Sequence, residues 1–287
     1  MIEHGGKNII KHTRFYFTDS SCKDRCGGII ISQAVVEKDL SFLMTAYRQN
    51  VLQKQMFVIE IAGVPIGIIS RFESTKEFFL DYLSDQLPMT IVSVSDEEMM
   101  MEDEEISERT EQMVINSKIA STLVDYHAFL MRTAVISVDG QGVGFATANG
   151  VGKTTRALLW KKAMGDRVKV INGAKPVIRL KEDGVYACGT PWKGLEKLGV
   201  KESVPMKAMC FIERGEEVSL ERMTPDEAAL RLMQQVIIPR GNTEMSMLIS
   251  LLEKFVQTVP FYVYIGNLEK EKPEVLWEKI KRGEMLN

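Results

Sequence analysis

The residues with the clearest capacity for chemistry lie just past the middle of the chain, in FATANGVGKTTRALLW, Phe145–Trp160. Within it, Gly150-Val151-Gly152-Lys153-Thr154 has the spacing that ends a nucleotide-phosphate loop. In such a loop glycines let backbone N–H groups close on phosphate oxygens, the lysine reaches the terminal phosphates, and the threonine hydroxyl faces Mg²⁺. The first position of the full pattern should be glycine but is Thr147, so the match is good and incomplete.

A loop of this kind needs a strand before it and a helix after it. TAVISV alternates as a strand does, Asp139-Gly140-Gln141-Gly142 reads as a hairpin turn, and VGFAT leads into the glycines. Beyond Lys153 a helix is expected through Ala157, Leu158 and Trp160. Further strands are expected at Val168–Ile171, Pro176–Leu180, Val185–Cys188 and Lys207–Glu213, with FYVYIGN as a later one. Thr224-Pro225-Asp226-Glu227 carries an N-cap, a first-turn proline and a capping-box acid. Upstream, MFVIEIAGVPIGIIS predicts two strands about Gly63-Val64-Pro65, and Ser74-Thr75-Lys76-Glu77 reads as a capping box. Ile115, Ile119, Leu123 and Tyr126 share one helical face. Residues before Met56 differ in pattern, with a helix-like stretch over Ser32–Gln55. The expected division is therefore an extension over 1–55, a small α+β region over 56–130, and a nucleotide-binding domain over 131–287.

Other chemistry is less well supported. Cys22 and Cys26 could bring two thiolates together, but no second pair completes a zinc site, so free thiols are the expectation. Cys188 and Cys210 fall in apolar strands and read as core residues. Asp96–Glu111 is dense in acids, which suits a solvated helix start better than catalysis. His127 has no nucleophile or acid at a useful spacing and reads as a surface or packed histidine. At 287 residues, 45% hydrophobic and 26% charged, the composition is that of a soluble globular chain. Its net charge of −3 gives no electrostatic case for nucleic acid, and no apolar run suits a membrane span. A cytoplasmic location is the expectation.

The run VISVDGQGVGFATANGVGKTTRALLW, then GDRVKVINGAKP, GTPWKGLE and VPMKAMCFIERG, resembles the HPr kinase/phosphorylase C-terminal family, over about Met56 to Asn287. Within it the chain looks most similar to kinase-like proteins associated with peptide clusters, lasso-peptide serine kinases among them, with phosphoenolpyruvate carboxykinase a more distant relative. The resemblance implies an α/β, carboxykinase-like P-loop domain with a smaller N-terminal α+β region. It further implies ATP and Mg as cofactors, and phosphoryl transfer to a serine on a peptide or protein; a homo-oligomer is left open. By position Asn149, Gly150, Val151, Gly152, Lys153, Thr154 and Thr155 would cradle the nucleotide, with Thr154 on the metal. Thr154 and Thr155 equally suit helix N-capping. Arg132, Arg156, Lys175, Trp192 and Glu196 would line the substrate or phosphate pocket.

Four departures bear on activity. The resemblance places an Asp where this chain has Ala174, and alanine has no oxygen to take a proton or touch a metal. It places His-Gly at Arg132-Thr133, His at Arg156, and Lys at Leu195. A single engineered change at Ala174 and natural drift away from catalysis both stay open as explanations, and the two arginines suit a pocket that holds phosphates by charge. Two functions follow: a serine-hydroxyl kinase, weak or inactive for want of the acid, and a non-catalytic nucleotide-binding regulator or scaffold. Carboxykinase activity is disfavoured because the paired metal-binding aspartates are missing.

Overall fold

The computed structural model describes residues 13–15, 29–31, 55–102, 106–147 and 152–286. The chain divides into two units, Met1–Ile59 with Pro65–Ile115, and Glu60–Val64 with Asn116–Asn287. Cys22, Cys26 and residues 32–54 of the expected helix lie outside the described residues.

In the first unit, β1 (Thr13–Phe15) and β2 (Ile29–Ile31) pair antiparallel. A separate three-stranded sheet holds β3 (Gln55–Ile61), β4 (Val64–Ser70) and β5 (Thr90–Ser93), with β4 and β5 parallel. Gln55, expected at the end of a helix, instead opens β3. Ala62 (φ 53°) and Gly63 (φ 76°) turn β3 into β4, one residue earlier than expected. Two left-handed residues in succession match the twist of the strands they join. Every residue of β4 is buried, which explains a continuous apolar run where an alternating one would mark a half-exposed strand.

The helices here are α1 (Glu73–Phe78), α2 (Asp96–Glu102) and the start of α3 (Glu108–Val124), whose residues from Asn116 belong to the second unit. The expected capping box at Ser74 is not how α1 begins, because Phe72 is its N-cap and Ser74 lies inside the helix. Its orphan donors find an acid from another helix instead. Glu111 of α3 is 1% exposed and accepts from Arg71 N at 2.6 Å, Phe72 N at 3.3 Å and Thr75 Oγ1 at 2.6 Å. This corrects the reading of Asp96–Glu111 as wholly solvated: a buried carboxylate is tolerated where several donors satisfy it.

In the second unit the strands are β6 (Ala128–Leu130), β7 (Ala134–Val138), β8 (Gln141–Ala146), β9 (Val168–Asn172), β10 (Val177–Lys181), β11 (Gly184–Cys188), β12 (Ser203–Arg214), β13 (Ser219–Arg222) and β14 (Phe261–Gly266). They form one sheet in the order β6-β10-β11-β12-β8-β7-β9, with β14 also on β12 and β13 on β14. β6, which the expected division left before residue 131, pairs with β10 and is part of this sheet. β12 runs parallel to both β8 and β14 while its first residues pair antiparallel with β11. The helices are α4 (Lys153–Met164), α5 (Pro225–Met233), α6 (Asn242–Thr258) and α7 (Pro273–Arg282). The capping box at Thr224 and Glu227 forms as the sequence predicts.

Residues of β12 alternate between two cores. Met209 and Phe211 join Phe129, Leu232, Leu248 and Phe255 in one, with α5 and α6. Ala208, Cys210 and Ile212 join Phe145, Trp160, Tyr262 and Trp277 in the other, with α4 and α7. A strand covered on both faces is apolar throughout its middle, and this one is. Burial pushes the Cys210 thiol up to about 12, as expected of a core cysteine rather than a reactive one.

Candidate phosphate-binding site

The hairpin of β7 and β8 turns on Asp139 (φ 49°) and Gly140 (φ 81°), and β8 ends at Ala146, just before the glycine loop. Asn149, Gly150 and Val151 lie outside the described residues. The chain re-enters at Gly152, whose φ of 102° suits glycine and caps α4. Lys153 and Thr154 open the helix, and Thr155 is exposed on its first turn. The strand–loop–helix frame expected about the motif is therefore present on both sides of the loop. Thr147 is 6% exposed, and among the described residues its Oγ1 has no hydrogen-bond partner.

The segment Asn172–Lys175 lies against the start of α4, because Thr154 Oγ1 donates to Gly173 O at 3.3 Å. Asn172, wholly buried at the end of β9, holds that segment in shape. Its Oδ1 accepts from Ala174 N (2.9 Å) and Lys175 N (2.8 Å), while its Nδ2 donates to Thr190 O (3.1 Å) and Thr190 Oγ1 (3.0 Å). Thr190 Oγ1 in turn donates to Lys175 O at 2.6 Å. The backbone of Lys175 is thus tied on both sides, which fixes where its side chain starts.

Strand register brings Arg132 to the same place. Leu130 pairs with Val177 and Met131 N donates to Pro176 O at 3.1 Å, so Arg132 follows directly on the end of that ladder, its own N donating to Gln235 O at 2.6 Å. On the other side the β7–β8 ladder begins two residues later, with Ala134 paired to Phe145. Thr133 Oγ1 locks that edge by donating to Phe145 O at 2.8 Å. Arg132 is near both Lys153 and Lys175. Burial, then repulsion from Arg132, holds both lysine ammoniums below their usual 10.5. Among the described residues none of these cations has an acid paired with it. Half-buried Lys153 and Lys175 beside an exposed Arg132, with no counter-ion among the described residues, are an arrangement suited to an anion.

The turn Thr190–Gly199 borders this segment. Gly194 (φ 81°) lies so near Ala174 that a Cβ on it would be 3.0 Å from the Ala174 Cβ and 3.6 Å from Glu196 Oε2. The exposed Glu196 carboxylate is therefore a neighbour of the position where the sequence lacks its acid. Trp192 is half-buried on the same turn, and Leu195 is 98% exposed at its tip.

Arg156 is placed otherwise than expected. It is 4% exposed, its guanidinium is bound to the Glu271 carboxylate, and it lies 4.6 Å from the ring centroid of Tyr264. Its charge is therefore spent inside the protein, among core residues on the α4 side of the sheet. Burial, then the Glu271 carboxylate, pushes the Tyr264 phenol up. Asn172, Thr190 and Glu271 were missed by sequence reasoning. Asn-Gly after a strand marks an Asx turn and could have flagged Asn172; nothing local announces Glu271.

No family model matches the chain, and no curated protein matches it. Among solved structures, the HPr(Ser) kinase/phosphatase from Coxiella burnetii is 10% identical, at a TM-score of 0.33, over 54% of this chain and 88% of that one. At that score and identity the likeness assigns neither family nor activity. What the coordinates give by themselves is a mixed α/β protein with a curled sheet. No helix among the described residues is long and apolar enough to cross a membrane.

Proposed function

We propose that this chain binds the phosphates of a nucleoside triphosphate, ATP being the reference ligand, in the loop from Asn149 to Thr155. The observation that carries the reading is the nearness of Arg132 to Lys153 and Lys175, with no paired acid among the described residues, beside the N-terminus of α4. A helix N-terminus adds its own preference for anions, and the Thr147 hydroxyl, unpartnered among the described residues, is a further donor at the end of β8. Position 174 supplies no group for proton transfer, so the binding is that of a regulator or scaffold. Calorimetry should find ATP binding that Lys153→Ala weakens about tenfold or more, with the variant's thermal unfolding unchanged. Equal affinity in the two forms would overturn the reading.

A second reading, serine phosphorylation, is favoured by one observation, that Ala174 and the Glu196 carboxylate both border Gly194. The hydroxyl of a serine on a peptide or protein would attack the terminal phosphorus, its proton passing to the Glu196 carboxylate as ADP departs with the bridging oxygen. Labelled phosphate from ATP would then appear on a serine peptide, and Glu196→Gln would abolish it. Ala174→Asp should raise transfer by about a hundredfold or more if acid is all that the site lacks. Incorporation at background in all three forms excludes this reading and leaves the binding reading standing.

A further inference from the structure

A cavity of about 650 Å³ lies between α6, the β10–β11 hairpin and the turn after α3, and shares no residue with the site above. Its lining belongs wholly to the second unit, and every residue of it is described. Two periodicities build its walls. Leu180 and Val185 are a cross-strand pair, so both point to the sheet face that α6 covers. Leu251, Lys254 and Thr258 are spaced i, i+3 and i+7, which puts them on one face of α6. Val185 and Leu251 belong to the first core and Leu180 packs against it, so the floor is apolar. His127 walls the remaining side. Its left-handed backbone (φ 56°) is held by two bonds, His127 N donating to Val124 O at 3.1 Å and Leu180 N to His127 O at 2.9 Å. The wall is therefore set before any ligand arrives.

The charges at the cavity decide what it would take. Arg179 and Lys181 border it, but strand alternation sends their side chains to the opposite face. There Arg179 is bound to Ala62 O, and Lys181 Nζ lies 4.5 Å from the Tyr186 ring centroid. Lys254 is exposed on the cavity face of α6, and among the described residues its ammonium has no hydrogen-bond or ion-pair partner. Glu182, at the hairpin turn, is the one acid in the lining. The volume is that of a small-molecule site, which typically joins an apolar lining to a few polar groups. We propose that this cavity binds a small amphipathic organic anion, its apolar body on Leu180, Val185 and Leu251 and its acid group paired with Lys254.

The test is fluorescence titration of the full chain with anilinonaphthalene sulfonate, beside phenylnaphthylamine, the same ring system without the sulfonate. Each should bind at one saturable site. Lys254→Gln should weaken the sulfonate about threefold and leave the neutral amine unchanged, whereas Glu182→Gln should tighten the sulfonate alone. Thr258→Trp, which brings an indole into the cavity from an exposed position, should weaken both about tenfold or more. Unchanged unfolding midpoints check that each variant keeps its fold. Undiminished binding by Thr258→Trp would overturn the site. A sulfonate indifferent to Lys254→Gln, or an amine weakened equally by it, would overturn the anionic assignment. Absence of saturable binding by either probe would overturn the whole proposal.

Discussion

Replacing Glu271 with alanine should loosen α4 at its bond to Arg156, although the two residues involved are far apart in sequence. The side chains of Arg156 and Glu271 are 5% and 0% exposed, so the pair is out of water. Truncating one partner strands the other, and buried pairs broken in this way cost about 3–5 kcal/mol. The Tyr264 ring, 4.6 Å from the guanidinium, still faces the stranded cation and offsets about 1 kcal/mol of that. The expected net loss is roughly 2–4 kcal/mol. In a folding unit of this size each kcal/mol lowers Tm by about 2–4 °C, so the midpoint should fall by about 4–16 °C. Differential scanning calorimetry reads this directly. Glu271→Gln keeps an acceptor and should fall between the two forms. Arg156→Met combined with Glu271→Leu removes both charges and should recover most of the loss, because apolar pairs often replace buried ion pairs at little cost. A Glu271→Ala protein melting within about 2 °C of the unaltered one would refute the anchoring argument.

Three further outcomes are expected. Lys153 and Lys175 titrate below the ordinary 10.5, so anion affinity should be full at neutral pH and decline as pH rises through the lowered values. Binding isotherms that stay flat up to about pH 10 would contradict this. Asp139 is held at about 2, first by its hydrogen bond from Arg167 and then by that from Trp277. A depressed acid adds stability above its unfolded value and loses it as pH falls through the folded one. Asp139→Asn should therefore flatten the acid limb of stability between about pH 4 and 2, followed by Trp277 fluorescence, and an unchanged limb would contradict it. Thr224→Ala removes both halves of the α5 capping box and should cost about 1 kcal/mol in denaturant titration. No measurable loss there would mean that the cap is redundant.

Much of the large sheet was legible because its signals are local. The hairpin at Asp139-Gly140 and the capping box at Thr224 are each complete within a few residues, and both formed as read. What escaped the reading depends on partners distant in sequence. Glu111 looked like one more solvated acid, yet it caps α1 across roughly 40 positions. Ser74 had the right letters for a cap and lost the role to that carboxylate. Arg156 looked like a phosphate ligand from its place two residues after Thr154, but helical geometry turns it to the core face, where Glu271 and Tyr264 meet it. Lys153 could be singled out from the motif, whereas the nearness of Arg132 to it and to Lys175 is set by the fold and no local pattern reveals it.

The position of β12 has a consequence for how the chain is made. Its parallel partners are β8, which precedes it by some 60 residues, and β14, which follows it by about 50. Neither contact can arise from a tight hairpin, so each must wait for a long loop to close, and such topologies fold slowly. On the ribosome, β8 and α4 leave the tunnel well before Tyr262, Glu271 and Trp277 exist to cover them. Until then Phe145 and Trp160 lack those partners, and Arg156 has no counter-ion. Helix α4 is thus synthesised early and seated late, and a chain stopped short of α7 should present that apolar face to chaperones.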